Sequence, residues 1–267
     1  MTKDKNLNRT LSIRISTDGF CFCNYIPSQP GSLNYHFYET DKNISLAANL
    51  KKGMEECQFI SNEKNCSIKC IIETAEFTTI PFEFDNNEDY RQYYRHCFPN
   101  VNGNVEIVAN RLNAQGFTII FPVEKGLYEE ICSLGETTFY TPASIIAGFV
   151  TRMPQDNDKY MLAYLQGRYS LFMSVKEGHV ELMNIFGCGN GQDMLFYLLS
   201  MWKEQGFSQT DDTLYICGDR NVEENMLAIG KFIRHKNRLN PNGIFAQNRL
   251  NMTGEVPFDL QTLILCE

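Results

Sequence analysis

The first residues whose types could do chemistry lie in TLSIRISTDGFCFCNY, Thr10 to Tyr25. Leu11, Ile13 and Ile15 alternate with Ser12, Arg14 and Ser16, the period of a strand. Asp18-Gly19 then gives a strong hairpin signal, and a second strand returns with Phe20 and Phe22 on one face and Cys21 and Cys23 on the other. Such a turn either holds a phosphate or is only a turn. A second candidate is FGCGNGQDM, where Gly187, Gly189 and Gly191 lead from a strand into a helix. Glycine turns at a helix N-terminus can hold phosphate. The spacing G-x-G-x-G departs from the dinucleotide fingerprint, however, and no G-K-[ST] follows. This stretch therefore reads as a flexible turn with Asn190 as helix cap. His36, His96, His179 and His235 are scattered without H-x-x-x-H spacing. Glu55-Glu56, Glu129-Glu130 and Glu223-Glu224 are adjacent pairs on helical stretches, where neighbours diverge by about 100° and face no common substrate. In DNNEDYRQYYRHCF, Tyr90, Tyr93, Tyr94, Arg91 and Arg95 offer the residue types of an interaction surface.

Bulk properties narrow the classes. The chain has 267 residues, 43% of them hydrophobic, enough for one or two domains with proper cores. A net charge of −8 repels phosphate backbones and anionic lipid, so neither nucleic acid nor a membrane surface is an expected partner. No apolar run approaches the roughly 20 residues of a membrane span, and the start, MTKDKNLNRT, lacks the apolar stretch of a signal peptide. Ten cysteines include no C-x-x-C pair, which leaves zinc and thioredoxin-like readings without support. Buried, reduced, structural thiols and a cytoplasmic location are expected.

The elements that must position these residues repeat. Strands at Leu11–Ser16, Phe20–Tyr25 and Leu33–Tyr38 precede a helix around residues 44–54 and a strand at SIKCIIE. From Tyr160 the same order recurs: YMLAYLQ, YSLFMSV, HVELMNIF, a helix in NGQDMLFYLLSMWKEQGF, and the strand TLYICG. Matching elements lie about 147–149 positions apart, although residue identities are not kept. Agreement at five elements in order is an internal duplication signal. It divides the chain into an N-terminal lobe, 1–150, and a C-terminal lobe, 151–267, with TRMPQDNDK at the boundary. Between the repeats the sequence predicts a helix in DNNEDYRQYYRHCF, a strand at Phe117–Val123, a helix at Lys125–Leu134, a strand at Thr137–Tyr140 and a helix with Pro142 in its first turn. After them it predicts a helix over Val222–Arg238, acidic at its start and basic at its end.

Three strands, a helix and a further strand, twice over, resemble the layout of the actin-like ATPase superfamily, which includes actin, the Hsp70 nucleotide domain, sugar kinases and pilus-assembly actin-like proteins. The segments LSIRISTDGFCFCNY, ETAEFTTIPFEF and VPFDLQTLILCE also resemble a bacterial domain-of-unknown-function family near that superfamily. The resemblance implies an α/β fold of two ribonuclease H-like lobes, each a mixed sheet, with a nucleotide cleft between them. It also implies a hydrophobic-Asp-hydrophobic-Gly-Thr hairpin whose Asp supports a magnesium ion and whose Gly lets backbone amides approach phosphate. On that pattern Arg14 stands for the Asp, Ser16 for the Gly, and Thr17 agrees. In the second lobe Tyr164 replaces the acid and Gly167 falls one place late, while the later glycine pair is reduced to Cys217-Gly218-Asp219.

A guanidinium in place of a carboxylate reverses the charge beside a divalent cation, a penalty on the order of 4 kcal/mol at about 4 Å and an effective dielectric near 20. The expected function is therefore a non-catalytic, actin-like-fold interaction or scaffold protein with a degenerate nucleotide site, no catalytic or metal residues, no cofactor, and a protein partner. The alternatives are a divergent ATP-dependent enzyme or switch, binding ATP with magnesium through Arg14, Ser16, Thr17, Gly167 and Gly218, or a small-molecule sensor using the interlobe cleft.

Overall fold

A computed structural model describes residues 9–27, 29, 31–57, 59, 67–86, 89–99, 103–153, 158–218, 222–240 and 255–265. β1 (Thr10–Ile15), β2 (Gly19–Tyr25) and β3 (Asn34–Glu39) form an antiparallel meander. Helix α1 (Leu46–Glu56) crosses to β4 (Ser67–Ile72), which lies parallel to β1. Ser45 caps α1, accepting from the Ala48 N–H. A small antiparallel sheet follows: β5 (Thr78–Pro81), β6 (Val105–Leu112) and β7 (Phe117–Glu124), in spatial order β5-β7-β6, with α2 (Tyr90–Cys97) against β6. Helix α3 (Lys125–Cys132) leads to β8 (Thr137–Tyr140), which joins β4 in parallel and completes a first sheet of order β3-β2-β1-β4-β8. Helix α4 (Pro142–Phe149) begins with proline, where a missing N–H costs nothing.

The second half repeats that path. β9 (Lys159–Gln166), β10 (Tyr169–Lys176) and β11 (His179–Gly187) form a meander, and α5 (Gly191–Glu204) crosses to β12 (Thr213–Gly218), parallel to β9. Helix α6 (Val222–Ile229) leads to β13 (His235–Arg238), parallel to β12, and the second sheet has the order β11-β10-β9-β12-β13. Helix α7 (Phe258–Leu265) is buried along its described length and packs on α4, β1 and β12, bridging both halves.

Strand parity assigns the cores. On β1, Leu11, Ile13 and Ile15 join Leu50 of α1 and Ile131 of α3, leaving Ser12 and Arg14 on the face that α7 covers. On β9, Met161, Ala163 and Leu165 pack under Trp202 of α5, while Tyr160, Leu162 and Tyr164 turn toward α4 and Phe258. A one-residue slip of either strand would exchange these sets. Both central strands are buried on both faces; the near-continuous apolar character of β9 suits that burial, whereas β1 places Ser12 and Arg14 on its α7 face.

Two expectations need correction. The helix predicted over 222–238 stops at Ile229, and residues 235–238 form β13 instead. Buried Ile229 and Ile233 pin the chain as it leaves α6, and the edge of β12 supplies backbone partners, including Ile216 O for the Leu239 N–H. Tertiary pairing thus overrides the helical charge pattern, and Arg238 pairs with Glu223 rather than capping a helix. The small sheet was foreseen only through β7. Gly19, in the hairpin signal Asp18-Gly19, does not take a left-handed conformation. It opens β2, where a Cβ would lie 2.5 Å from the Phe37 ring and 2.6 Å from Tyr38 O. The turn at Glu177-Gly178 does take two left-handed residues, φ 50° and 78°, as a tight hairpin requires.

Among the described residues, no helix is long and apolar enough to cross a membrane. Gly218, at the end of β12, has φ 128°, and a Cβ there would sit 2.0 Å from Leu165 O on β9. Gly218→Ala is therefore expected to destabilise the fold by at least about 1–3 kcal/mol, read as a lower midpoint in urea unfolding.

Candidate functional site

Arg14 occupies the middle of β1, in register with Cys21 and Phe37 across the meander and with Ile71 on β4. Its side chain is only 6% exposed. A buried guanidinium is tolerable only when paired. Its Nε donates to Asp259 Oδ1 at 2.8 Å and Oδ2 at 2.9 Å, and its Nη2 lies 3.6 Å from Glu73 Oε2. Asp259 is fully buried in the first turn of α7, where the positive end of the helix dipole also favours a carboxylate. Burial alone would lower the Arg14 pKa. The Asp259 charge, with Tyr164 and Glu73 behind it, raises it well above the ordinary value, so the cation is fixed. Burial pushes the Glu73 carboxyl up, with Arg14 opposing and Asp259 adding to the rise.

Tyr164 holds the corresponding place on β9, 1% exposed, with its ring 6.0 Å from that of Phe258. Two consecutive residues of α7 therefore meet the central strands of the two sheets: Asp259 takes Arg14 and Phe258 takes Tyr164. One turn of α7 thus touches the central strand of each sheet, beside α4.

Beside this contact, between the β1–β2 and β9–β10 hairpins, is an open cleft of about 470 Å³. Arg14, Ser16 and Gly167 line it together with Asp18, Glu73 and Glu255. Thr17 sits at the exposed hairpin tip and Gly218 at the β12–β9 contact, and neither is among the lining residues. Asp219 falls outside the described residues. The Ser16 hydroxyl and N–H both donate to Gly19 O, so this residue closes the turn. A Cβ on Gly167, φ 38°, would stand 3.8 Å from Glu73 Oε1 and 3.9 Å from Asp18 Oδ2. Among the described residues, three carboxylates thus surround the space, and the one cation lining it is bound to Asp259. Such a wall disfavours a polyphosphate. Among the described residues no three His, Cys, Asp or Glu side chains gather at metal-ligand spacing.

The glycine turn before α5 serves as a cap. Asn190 accepts from the N–H groups of Gln192 and Asp193, and Asp193 accepts from the Gly189 N–H. Eight cysteines among the described residues are free thiols, five of them buried. In α2, Tyr94 is buried and donates to Glu76 at 2.5 Å, while Tyr93 is exposed. Sequence reasoning missed Asp259 and Glu73. The available signal was one acid in the apolar helix FDLQTLIL and one cation in the middle of a central strand, two charges that each require a partner once buried.

Arg14→Met should leave Asp259 buried and unpaired and cost about 3–5 kcal/mol, whereas the triple change Arg14→Met, Glu73→Gln, Asp259→Leu should recover most of that loss. Urea unfolding of the set tests both expectations. Native Glu73 holds its proton more tightly than the unfolded chain does. Its contribution to stability is therefore fully present below the ordinary glutamate range and is lost as pH rises through the raised native value. Glu73→Gln should flatten that part of the melting-temperature profile in calorimetry from acid to neutral pH.

Comparison with known proteins fits this geometry. A crystal structure of a Bacteroides thetaiotaomicron protein with actin-like ATPase fold and unknown function is 29% identical, covers 100% of both chains and superposes with a TM-score of 0.80. A chain of the PilM–PilN type IV pilus biogenesis complex is 8% identical, with a TM-score of 0.56 over 88% of this chain and 89% of its own, a likeness of fold alone. No curated protein matches. The chain thus has the two-lobed actin-like ATPase fold. With residues 1–235 matching the description of DUF3822, proteins of unknown function, it belongs to that family.

Proposed function

We propose that this protein is a non-catalytic member of the actin-like fold, an interaction or scaffold protein whose two lobes, 1–150 and 151–267, arose by duplication and are held together instead of cycling around a nucleotide. The observation that carries this reading is the Arg14–Asp259 ion pair, with Glu73 beside it, at the position where the superfamily pattern puts a magnesium-supporting acid. A guanidinium there repels a divalent ion, and its pairing with Asp259 offsets its attraction for a phosphate. Asp18, Glu73 and Glu255 around the cleft add repulsion for a triphosphate. Nucleotide binding would require breaking a buried pair, a loss of about 3–5 kcal/mol before any gain. Free thiols, buried in the majority, support a cytoplasmic location. The complex-forming chain with the same fold, in the PilM–PilN assembly, is in keeping with an interaction role.

A second reading rests on the cleft itself. It is open and about 470 Å³, within the range of small-molecule sites, so a ligand other than a nucleotide has room there.

Magnesium and ATP at millimolar concentration should leave the melting temperature unchanged. A ligand present at about 100 times its Kd would stabilise the fold by about 2.7 kcal/mol, so a rise of several degrees in a thermal-shift assay would overturn the non-catalytic reading.

A further inference from the structure

Among the described residues, β11 is the outermost strand of the second sheet on its meander side, and it is nine residues long. An edge of that length is a template for a further strand. Leu182 on it is 39% exposed, while Val180, Met183 and Ile185 are partly buried. The register on β10 fixes which backbone groups look outward. Lys176 faces His179 across the two-residue turn, so that pair shares the ladder, and Val180 turns its N–H and C=O away from β10. Past the bulge opposite Ser174 and Val175, the same alternation turns Met183, Ile185 and Gly187 outward. The bond from the Cys188 N–H to Arg168 O, back toward β10, agrees with that parity.

Two of these outward N–H groups are taken by side chains. The Val180 N–H donates to Gln115 Oε1 at 2.8 Å, and the Ile185 N–H donates to Asn184 Oδ1 at 2.9 Å. Gln115 also donates from Nε2 to Gly178 O at 3.2 Å. One carboxamide therefore accepts from residue 180 and donates to residue 178, the two groups that a single residue of a parallel strand would bond. Gln115 comes from the turn between β6 and β7, in the small sheet of the first half, and is only 8% exposed. The N–H groups of Gln115 and Gly116 both donate to Leu112 O, so the turn that carries the side chain is itself closed. With its oxygen and nitrogen both paired, the carboxamide is stable in that buried place.

We propose that Gln115, helped by Asn184, keeps the β11 edge closed to strand addition by a second copy of this chain. The edge is its own complement about a two-fold axis. In the register that opposes outward residues, Met183 of one copy faces Ile185 of the other, and Leu182 faces Phe186. Gln115 occupies the start of that edge and Asn184 its centre, so the contact acts as a built-in block on self-association and directs any partner to another surface.

The test compares the full chain with Gln115→Ala, with Gln115→Ala plus Asn184→Ala, and with that pair plus Leu182→Lys, a charge that blunts an exposed edge. Hydrogen exchange at the Val180 amide should quicken about tenfold in Gln115→Ala. In sedimentation velocity up to about 100 μM, the double variant should gain mass with concentration beyond the parent chain. Leu182→Lys should restore the parent profile, with the melting temperature of the double variant unchanged. If the double variant does not fold, Gln115→Asn, one methylene shorter and unable to span both groups, carries the same mass comparison. Three results would overturn the proposal: the parent exchange rate at Val180 in Gln115→Ala, no gain in mass in the folded variant, or a gain that Leu182→Lys leaves in place. None of these readings involves the cleft, so the ATP thermal-shift result and this one stand or fall separately.

Discussion

The ion pair between Arg14 and Asp259 is the contact on which the arrangement of the two halves depends. It joins the central strand of the first sheet to a helix 245 residues later in the chain. Both partners are buried, so neither tolerates the loss of the other. A buried pair is not a cheap source of stability, because desolvating two charges consumes most of their attraction. What it supplies here is position. Only one placement of α7 brings Asp259 onto the Arg14 Nε, and that placement also sets Phe258 against Tyr164. An apolar helix such as FDLQTLIL could slide along an apolar groove, and the carboxylate stops it.

The same contact decides what kind of surface the cleft presents. In a nucleotide-binding version of the fold, the hairpins of both lobes must leave backbone and acid groups available to phosphate and metal. Here Ser16 is spent on the turn, Arg14 on α7, and Gly218 on the approach of Leu165. The glycine turn before α5 is consumed by the cap of its own helix. Each of these groups is engaged within the chain.

Much of this architecture was legible in the amino-acid order. Alternation at Leu11, Ile13 and Ile15, the Asp18-Gly19 and Glu177-Gly178 turns, and the repeated order of elements were enough to place both central strands and both crossover helices, because period and turn chemistry are local signals. β13 was not legible, since four polar residues, His235 to Arg238, carry no strand signal of their own and take their conformation from the edge of β12. The site was half legible. That Arg14 and Tyr164 occupy equivalent places followed from the repeat, whereas their partners Asp259 and Phe258 depend on a contact across nearly the whole chain, and no periodicity encodes such a pairing. The hold of Gln115 on β11 lay beyond sequence reasoning for the same reason, since it exists only where the β6–β7 and β10–β11 turns meet.

The distance along the chain between Arg14 and Asp259 has a kinetic consequence. Closing a flexible loop of that length in one step would cost about 5 kcal/mol of chain entropy. The closure becomes affordable once each sheet has condensed and shortened the effective path. Docking of helix α7 is therefore expected to follow formation of the sheets, and until it docks Arg14 on β1 lacks Asp259. Water solvates that charge until Asp259 replaces it, so the cost of burying the guanidinium falls on the docking of α7.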